Sequence, residues 1–204
     1  KIVMQKIEGS NFSTLYINEI LTTNHLNLLL STIDEIHNTH SDGTFNDYYD
    51  YNQKLQDRFK SFNYSKYGVT HKDYFEPSLS NLKGEYKIIH GDLVFSNIIL
   101  TNMGLIKFID VKGKLGDKLS IFGDKFYDYG KIYQSLIGYD EILLDKHVKR
   151  SYKNKMIKHF ESQFTDQEIN TIKTIAKSLL LTLLPLHNEP YKYSKYIELS
   201  KNIS

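Results

Sequence analysis

His90-Gly91-Asp92-Leu93-Val94-Phe95-Ser96-Asn97 is the stretch on which the reading of this chain turns. A histidine, an aspartate two residues on and an asparagine five residues beyond that aspartate share one short loop. This spacing matches a catalytic-loop pattern. Two β-branched and apolar runs follow, Asn97–Leu100 and Leu105–Asp110, with Asn102-Met103-Gly104 between them, and they predict a β-hairpin. The second run ends in Asp110, thirteen residues after Asn97. A His-x-Asp triplet by itself is weak, and an ordinary turn with a capping Asp would produce it. The added Asn and the apolar strand ending in Asp make the pattern much more specific.

The three polar positions have the chemistry that phosphoryl transfer requires. The transferred group passes through a loose transition state, so the protein chiefly positions reactants and neutralises charge. Asp92 would stand beside the attacking hydroxyl as its base. Asn97 and Asp110 would hold Mg²⁺ against the phosphates of ATP or GTP. Mg²⁺ takes hard oxygen ligands, few of them from protein. A hairpin brings its two ends together, which would let Asn97 and Asp110 share one ion.

Outward from this loop the periodicity is mostly helical. Asn24–Asn38 places Leu26, Leu29, Leu30, Ile33 and Ile36 at helical spacing, with Thr22, Thr23 or Asn24 as cap. Asn46–Phe62 reads as a second helix after a turn at Ser41–Asn46, and Tyr127–Ile137 as a third ending at Gly138. Lys146–Phe160 is a basic amphipathic helix. Thr171–Leu184 carries an apolar stripe that Pro185 stops, and Tyr193–Asn202 is a last short helix. Ile2–Ile7 is a short strand, Tyr86–Ile89 a strand or loop entry, and Lys112–Gly123 a loop. The sum is a mostly helical α+β domain with a small β-hairpin bearing the chemistry.

Composition sets bounds. The chain has 204 residues, 40% of them hydrophobic, enough for one good core. A net charge of +2 gives no support to nucleic-acid binding. Without cysteine there is no disulfide and no thiolate metal site, which fits a reducing cytoplasm. The longest apolar run, near Leu179–Leu186, is broken by Thr182 and Pro185, so no membrane span is expected. The start at Lys1 instead of Met reads as a fragment or processed chain.

HGDLVFSNIIL followed by IKFID resembles the aminoglycoside phosphotransferase and choline kinase superfamily, in which Gly follows the loop His; protein kinases usually have Arg there. Gly123-Asp124-Lys125-Phe126-Tyr127-Asp128-Tyr129-Gly130-Lys131 is similar to that family's Asp-containing helix entry. The resemblance implies that Asp128 braces the catalytic loop through backbone hydrogen bonds and that His90 holds the loop. More narrowly, HGDLVFSNI, IDVKG, FGDKFYDYGKIYQSLIGYD and LLPLHNEP resemble phosphotransferase domains of bacterial capsule and surface-polysaccharide clusters, some fused behind a sugar nucleotidyltransferase domain. Those carry Pro-Arg where this chain has Val111-Lys112, and Arg and Lys differ in bidentate reach. On this resemblance, Lys1–Gly9 is a hinge strand to an upstream N-terminal lobe, and residues 10–204 form a kinase-like C-terminal lobe. The glycine-rich loop and strand lysine of the other lobe are not in this sequence, so the chain by itself is expected to have little or no kinase activity.

Other residues have a functional and a plainer reading. Lys112 and Lys114 would meet a phosphate or an anionic acceptor, or be solvated loop lysines. Asp124 faces the acceptor pocket or caps a helix. His187 and Asn188, after Pro185, wall the acceptor pocket or form a helix-stop loop. His37 and His40 are C-terminal dipole partners, with no further zinc ligands nearby. The basic face of Lys146–Phe160 is solvated. Two functions stand: an ATP-dependent kinase for a hydroxyl of a sugar, amino alcohol or surface-polysaccharide precursor, or a non-catalytic kinase-like scaffold of a larger protein.

Overall fold

The computed structural model describes residues 6–39, 51–70, 82, 84–115, 118–187 and 189–203. In chain order the elements are β1 (Gly9–Asn11), α1 (Phe12–Ile17), α2 (Thr23–His37), α3 (Tyr51–Ser61), a 3₁₀ turn (Tyr64–Tyr67) and β2 (Tyr86–Ile88). Then come β3 (Ile98–Thr101), β4 (Ile106–Phe108), β5 (Lys114–Leu115), β6 (Lys118–Leu119) and β7 (Phe122–Asp124). The C-terminal part holds α4 (Lys125–Gln134), a π turn (Ser135–Tyr139), α5 (Asp140–Leu144), α6 (Arg150–Glu161), α7 (Asp166–Leu183) and α8 (Pro190–Lys201).

Side-chain caps set several of these starts. Thr22 and His25 cap α2 reciprocally: Thr22 Oγ1 accepts from the His25 amide, and Thr22 N–H donates to His25 Nδ1. Thr165 and Glu168 do the same for α7, which therefore begins at Asp166, earlier than the apolar stripe alone suggests. Asp145 sits at φ +49° and ends α5, and the next helix starts only at Arg150, not at Lys146. Gly138 (φ +139°, ψ 8°) is non-helical and kinks the chain where the sequence places the end of the Tyr127–Ile137 helix. Beyond this kink, which lies in the π turn, a separate short helix, α5, begins.

Three small antiparallel sheets lie among the helices. The largest has the order β1-β3-β4, with Ser10 opposite Leu100 and Ile99 opposite Lys107. Strands β2 and β7 pair, with Lys87 opposite Gly123, and β5 pairs with β6. The expected loop at Lys112–Gly123 thus holds two short strands and the start of a third. Lys6–Glu8 has no regular structure and the first described strand starts at Gly9, not within Ile2–Ile7. Lys1–Gln5, the turn at Ser41–Asn46 and the start of the helix expected from Asn46 lie outside the described residues.

The core forms where α4 lies along α7, with the buried Ile175 and Leu179 of α7 packed against Gly130 of α4. Burying each such side chain stabilises by about 1.5–3 kcal/mol. By length and composition Asp166–Leu186 is apolar enough to cross a membrane, which the sequence reading did not expect; more than half of it is buried within this core. Tyr16 and Tyr64 are buried too, and each phenol donates to a backbone carbonyl, of Leu136 and Leu181.

Candidate active site

The catalytic-type loop is held by its apolar residues. Leu93 and Phe95 are fully buried, and Phe95 meets Phe12 and Tyr16 edge-on at 5.8 and 5.4 Å between ring centres. With these pulled inward, Asp92 keeps an exposed side. Gly91 sits at φ +80°, and a Cβ there would come within 2.9 Å of the Lys112 side chain, so only glycine fits without strain.

Asp128, buried in the first turn of α4, carries the brace. Its Oδ2 accepts from the His90 amide and its Oδ1 from the Gly91 amide, both at 2.8 Å. His37, from the end of α2, adds an Nε2 contact to the same Oδ2 at 3.2 Å. His37 is buried and joined to the loop, a role beyond the dipole partner expected of it; His40 lies outside the described residues. His90 itself is structural in its contacts. Its Nε2 meets the Ile109 carbonyl at 2.8 Å and its Nδ1 accepts from the Asp92 amide at 3.3 Å. With both ring nitrogens engaged, the ring links the loop to the strand that precedes Asp110.

Two groups flank Asp92. Lys131 Nζ stands 3.0 Å from its Oδ1. The Asn97 amide nitrogen donates to the Asp92 carbonyl at 2.8 Å and approaches Oδ2 at 3.4 Å. That orientation leaves Asn97 Oδ1, approached by Ser96 Oγ at 3.5 Å, as the atom that could hold a metal. At the other end of the hairpin the Ile109 amide donates to the Asn97 carbonyl at 3.1 Å, so the backbones before Asp110 and at Asn97 adjoin. Asp110 is exposed and has φ +58°, a left-handed conformation that costs a non-glycine residue on the order of 1 kcal/mol. Such local strain gathers at functional sites. Asn97 Oδ1 and the Asp110 carboxylate are hard oxygen donors suited to Mg²⁺. Among the described residues no group of three or more His, Cys, Asp or Glu could form a fuller metal cage. Two protein ligands, with water and phosphate completing the shell, match the usual Mg²⁺ arrangement.

Lys131 was not legible as a site residue, but a signal for it exists. Asp128, Lys131 and Ser135 are spaced three and four apart on a segment otherwise rich in Tyr, Phe and Ile, and all are buried. Each meets the loop: Asp128 at His90 and Gly91, Lys131 at Asp92, and Ser135 Oγ as acceptor for the Phe95 amide at 3.1 Å. A buried polar row at helical spacing needs partners on whatever packs against it.

Beside this row stands Tyr127, buried under α3. Lys54 Nζ donates to its hydroxyl at 2.9 Å. The ammonium groups of Lys54, Lys112 and Lys131 lie 5.1, 5.3 and 5.9 Å from its ring centre. Burial pushes the Tyr127 phenol up, yet the three ammonium groups together hold it well below the usual phenol range. Lys54 is pushed down chiefly by burial, with Tyr127 opposing the shift and the neighbouring lysines adding to it. Lys131 is affected by burial in the same direction but is raised overall, by Tyr127 and Asp92.

The remaining candidates divide. Lys112, Lys114, Asp124 and Tyr127 line one crevice with His90 and Gly91. Asp124 also caps α4, accepting from the Phe126 amide at 3.0 Å. His187 packs its ring against Tyr139 and Tyr196, and its carbonyl accepts from the Tyr193 hydroxyl; burial lowers its pKa. Tyr139, in ring contact with His187, has its phenol pushed up by burial first and also feels the charges of Lys131, Asp140 and Asp92. Asn188 lies outside the described residues.

No protein-family model matches the chain, and no curated protein does. Solved structures do, two of them as follows. One is an ethanolamine kinase from Plasmodium vivax, 14% identical, TM-score 0.52, covering 96% of this chain and 62% of its own. The other is a choline kinase from Streptococcus pneumoniae, 16% identical, TM-score 0.52, covering 94% of this chain and 66% of its own. The fold is kinase-like. It is mostly helical α+β with small antiparallel sheets, and the chain spans a little under two thirds of the length of these two kinases.

Proposed function

We propose that this chain is the catalytic-loop-bearing part of a small-molecule kinase that transfers a phosphoryl group to a hydroxyl. The observation that carries the reading is Asp92, held between Lys131 and Asn97 on a loop whose amides are clamped by the buried Asp128. In this reading the Asp92 carboxylate takes the acceptor's hydroxyl proton as the new O–P bond forms. The bond between the γ-phosphorus and the β–γ bridging oxygen breaks, leaving the nucleoside diphosphate. Asn97 and Asp110 would hold Mg²⁺, which supplies charge neutralisation at the nucleotide phosphates. Lys131 fixes the carboxylate oxygen that faces it, so the other oxygen is turned to the acceptor.

Acceptors considered are sugars, amino alcohols and surface-polysaccharide precursors. The likeness to the two kinases and the resemblance of HGDLVFSNI and its flanking motifs to capsule-cluster phosphotransferase domains support this range. A nucleotide-dependent reaction and a chain without cysteine fit a cytoplasmic setting. The nucleotide-gripping lobe, and any fused nucleotidyltransferase domain, would belong to the same full-length protein.

The test is nucleotide turnover by the full-length protein with Mg²⁺ and ATP or GTP across a panel of sugars and amino alcohols, with Asp110→Ala as control. Acceptor-dependent turnover that disappears in the control establishes the kinase. No turnover with any acceptor, together with identical nucleotide binding by both proteins, returns the chain to the scaffold reading.

A further inference from the structure

The loop that carries Asp92 brings no cation of its own. Between Asp92 and Asn97 stand Leu93, Val94 and Phe95, all buried and apolar, and Ser96. The positive charge at the carboxylate comes from another element. Lys131, on α4, places its Nζ 3.0 Å from Asp92 Oδ1, while the Asn97 amide approaches Oδ2 at 3.4 Å. The carboxylate is thus flanked by the ammonium at one oxygen and by the candidate metal ligand at the other. The placement is fixed, because three residues earlier on α4 Asp128 clamps the amides of His90 and Gly91 at 2.8 Å. The Lys131 side chain is 11% exposed and its partner carboxylate 45%. Desolvating an ammonium against so open a partner returns little stability, and an apolar residue would fill the same space. Burial pulls the Lys131 pKa down, but Tyr127 and Asp92 outweigh it, so the ammonium stays charged. An ammonium has three N–H donors. Among the described residues Lys131 meets the Asp92 carboxylate and the face of the Tyr127 ring, 5.9 Å away, which leaves donors over.

We propose that Lys131 is a catalytic residue of the phosphoryl transfer, donating an N–H to an oxygen of the phosphoryl group as it passes from nucleotide to acceptor. This rests on the kinase reading. An acceptor hydroxyl bonded to Asp92 lies about 2.7 Å from the carboxylate, and the phosphorus about 3–3.5 Å beyond it before the bond forms. An ammonium one hydrogen bond from that carboxylate borders the same space. The new bond joins the acceptor oxygen to phosphorus, the bond to the β–γ bridging oxygen breaks, and the hydroxyl proton passes to Asp92. Lys131 keeps its protons throughout. A negative base beside an anionic phosphoryl group repels it, and the charge spread over the phosphoryl oxygens needs donors placed in advance. Mg²⁺ would meet that charge from the Asn97 side, and Lys131 meets it from the side of Asp92 Oδ1.

The experiment is a double-mutant cycle on the full-length protein. The unaltered protein, Lys131→Met, Asp92→Asn and the double variant are each followed by single-turnover transfer from Mg²⁺-ATP to the acceptor that the panel identifies. If Lys131 acts only by orienting Asp92, its loss adds nothing once Asp92→Asn has removed the base. Direct contact with the phosphoryl group predicts a further fall of about tenfold to a hundredfold in that background, the worth of a charge-assisted hydrogen bond. Lys131→Arg should recover part of it, since the charge is kept and the geometry is not.

Binding supplies a readout that needs no turnover. Aluminium fluoride with Mg²⁺-ADP mimics the phosphoryl group in transit, and calorimetry with each acceptor of the panel reads how much fluoride tightens the complex. Tightening is expected in the unaltered protein and in Asp92→Asn, and its loss in Lys131→Met, with ADP affinity in the absence of fluoride unchanged. Unfolding curves check that each variant folds, and Lys131→Gln, which keeps a polar tip, replaces Lys131→Met if the latter does not. A double variant as fast as Asp92→Asn alone, or tightening that survives the loss of Lys131, overturns the proposal and leaves the kinase reading standing. No turnover with any acceptor and no tightening in the unaltered protein overturns both.

Discussion

Two buried polar groups sit along α4 and α5, and they differ in how completely they are paired. The first is the row Asp128, Lys131 and Ser135, in which each side chain meets the catalytic-type loop. The second spans the π turn, with Gln134 before it and Asp140 and Glu141 after it. Both side-chain atoms of the Gln134 amide lack partners among the described residues, and so does Asp140 Oδ2, although Ser13 reaches the other Asp140 oxygen and Lys153 reaches Glu141. Burial pushes the Asp140 carboxyl up to about 6. The contrast is between polarity fully engaged with the loop and polarity only partly paired among the described residues.

Breaking the first group at its centre should have the largest effect. Asp128→Ala removes the acceptor for two loop amides and for His37, and is expected to cost about 3–5 kcal/mol in denaturant unfolding, with loss of turnover. An Asp128→Ala protein of unchanged stability would mean that the loop is held by its apolar residues alone.

Lys131→Met separates chemistry from folding. Asp92 is partly exposed, so the ion pair contributes about 1 kcal/mol or less to stability. Turnover should nevertheless fall about a hundredfold, since Asp92 loses the partner that orients it. Equal activity in the variant would reduce Lys131 to a structural pair.

The second group offers a pH test. The folded Asp140 carboxyl binds its proton more tightly than its ordinary value of 3.8 allows, so its contribution to stability is present below about pH 4 and is lost as pH rises through 6. Asp140→Asn should therefore gain on the unaltered protein by about 1–3 kcal/mol across that interval, seen in paired unfolding curves. Parallel curves would show that Asp140 titrates normally.

Ser135→Ala should have the smallest effect. Losing the acceptor for the Phe95 amide costs about 1 kcal/mol, measured as a shift in unfolding midpoint. A larger loss would show that Ser135 also holds the second group together.

The loop and its hairpin were legible because their information is local. Asp92, Asn97 and Asp110 are placed by turn chemistry and β-branched runs within one short stretch. The helices containing Leu26–Ile33 and Ile172–Leu183 were legible by apolar period, while their true starts waited on caps such as Thr22–His25 and Thr165–Glu168. The strand Gly9–Asn11 and the short helix after it were not, because a three-residue edge strand has no period to read and gains its hydrogen bonds only from Ile99–Thr101.

By itself the sequence determined that one loop and the hairpin after it would carry Asp92, Asn97 and Asp110 on a mostly helical α+β frame, since spacing along the chain is enough to set those relations. Only the tertiary structure decided that Lys131 would face Asp92, that His37 would reach Asp128, and that Lys54 and Lys112 would meet over Tyr127. These partners are far apart in sequence, and the energy that selects them comes from packing α2, α3 and α4 around the loop, where a buried charge must find its counterpart.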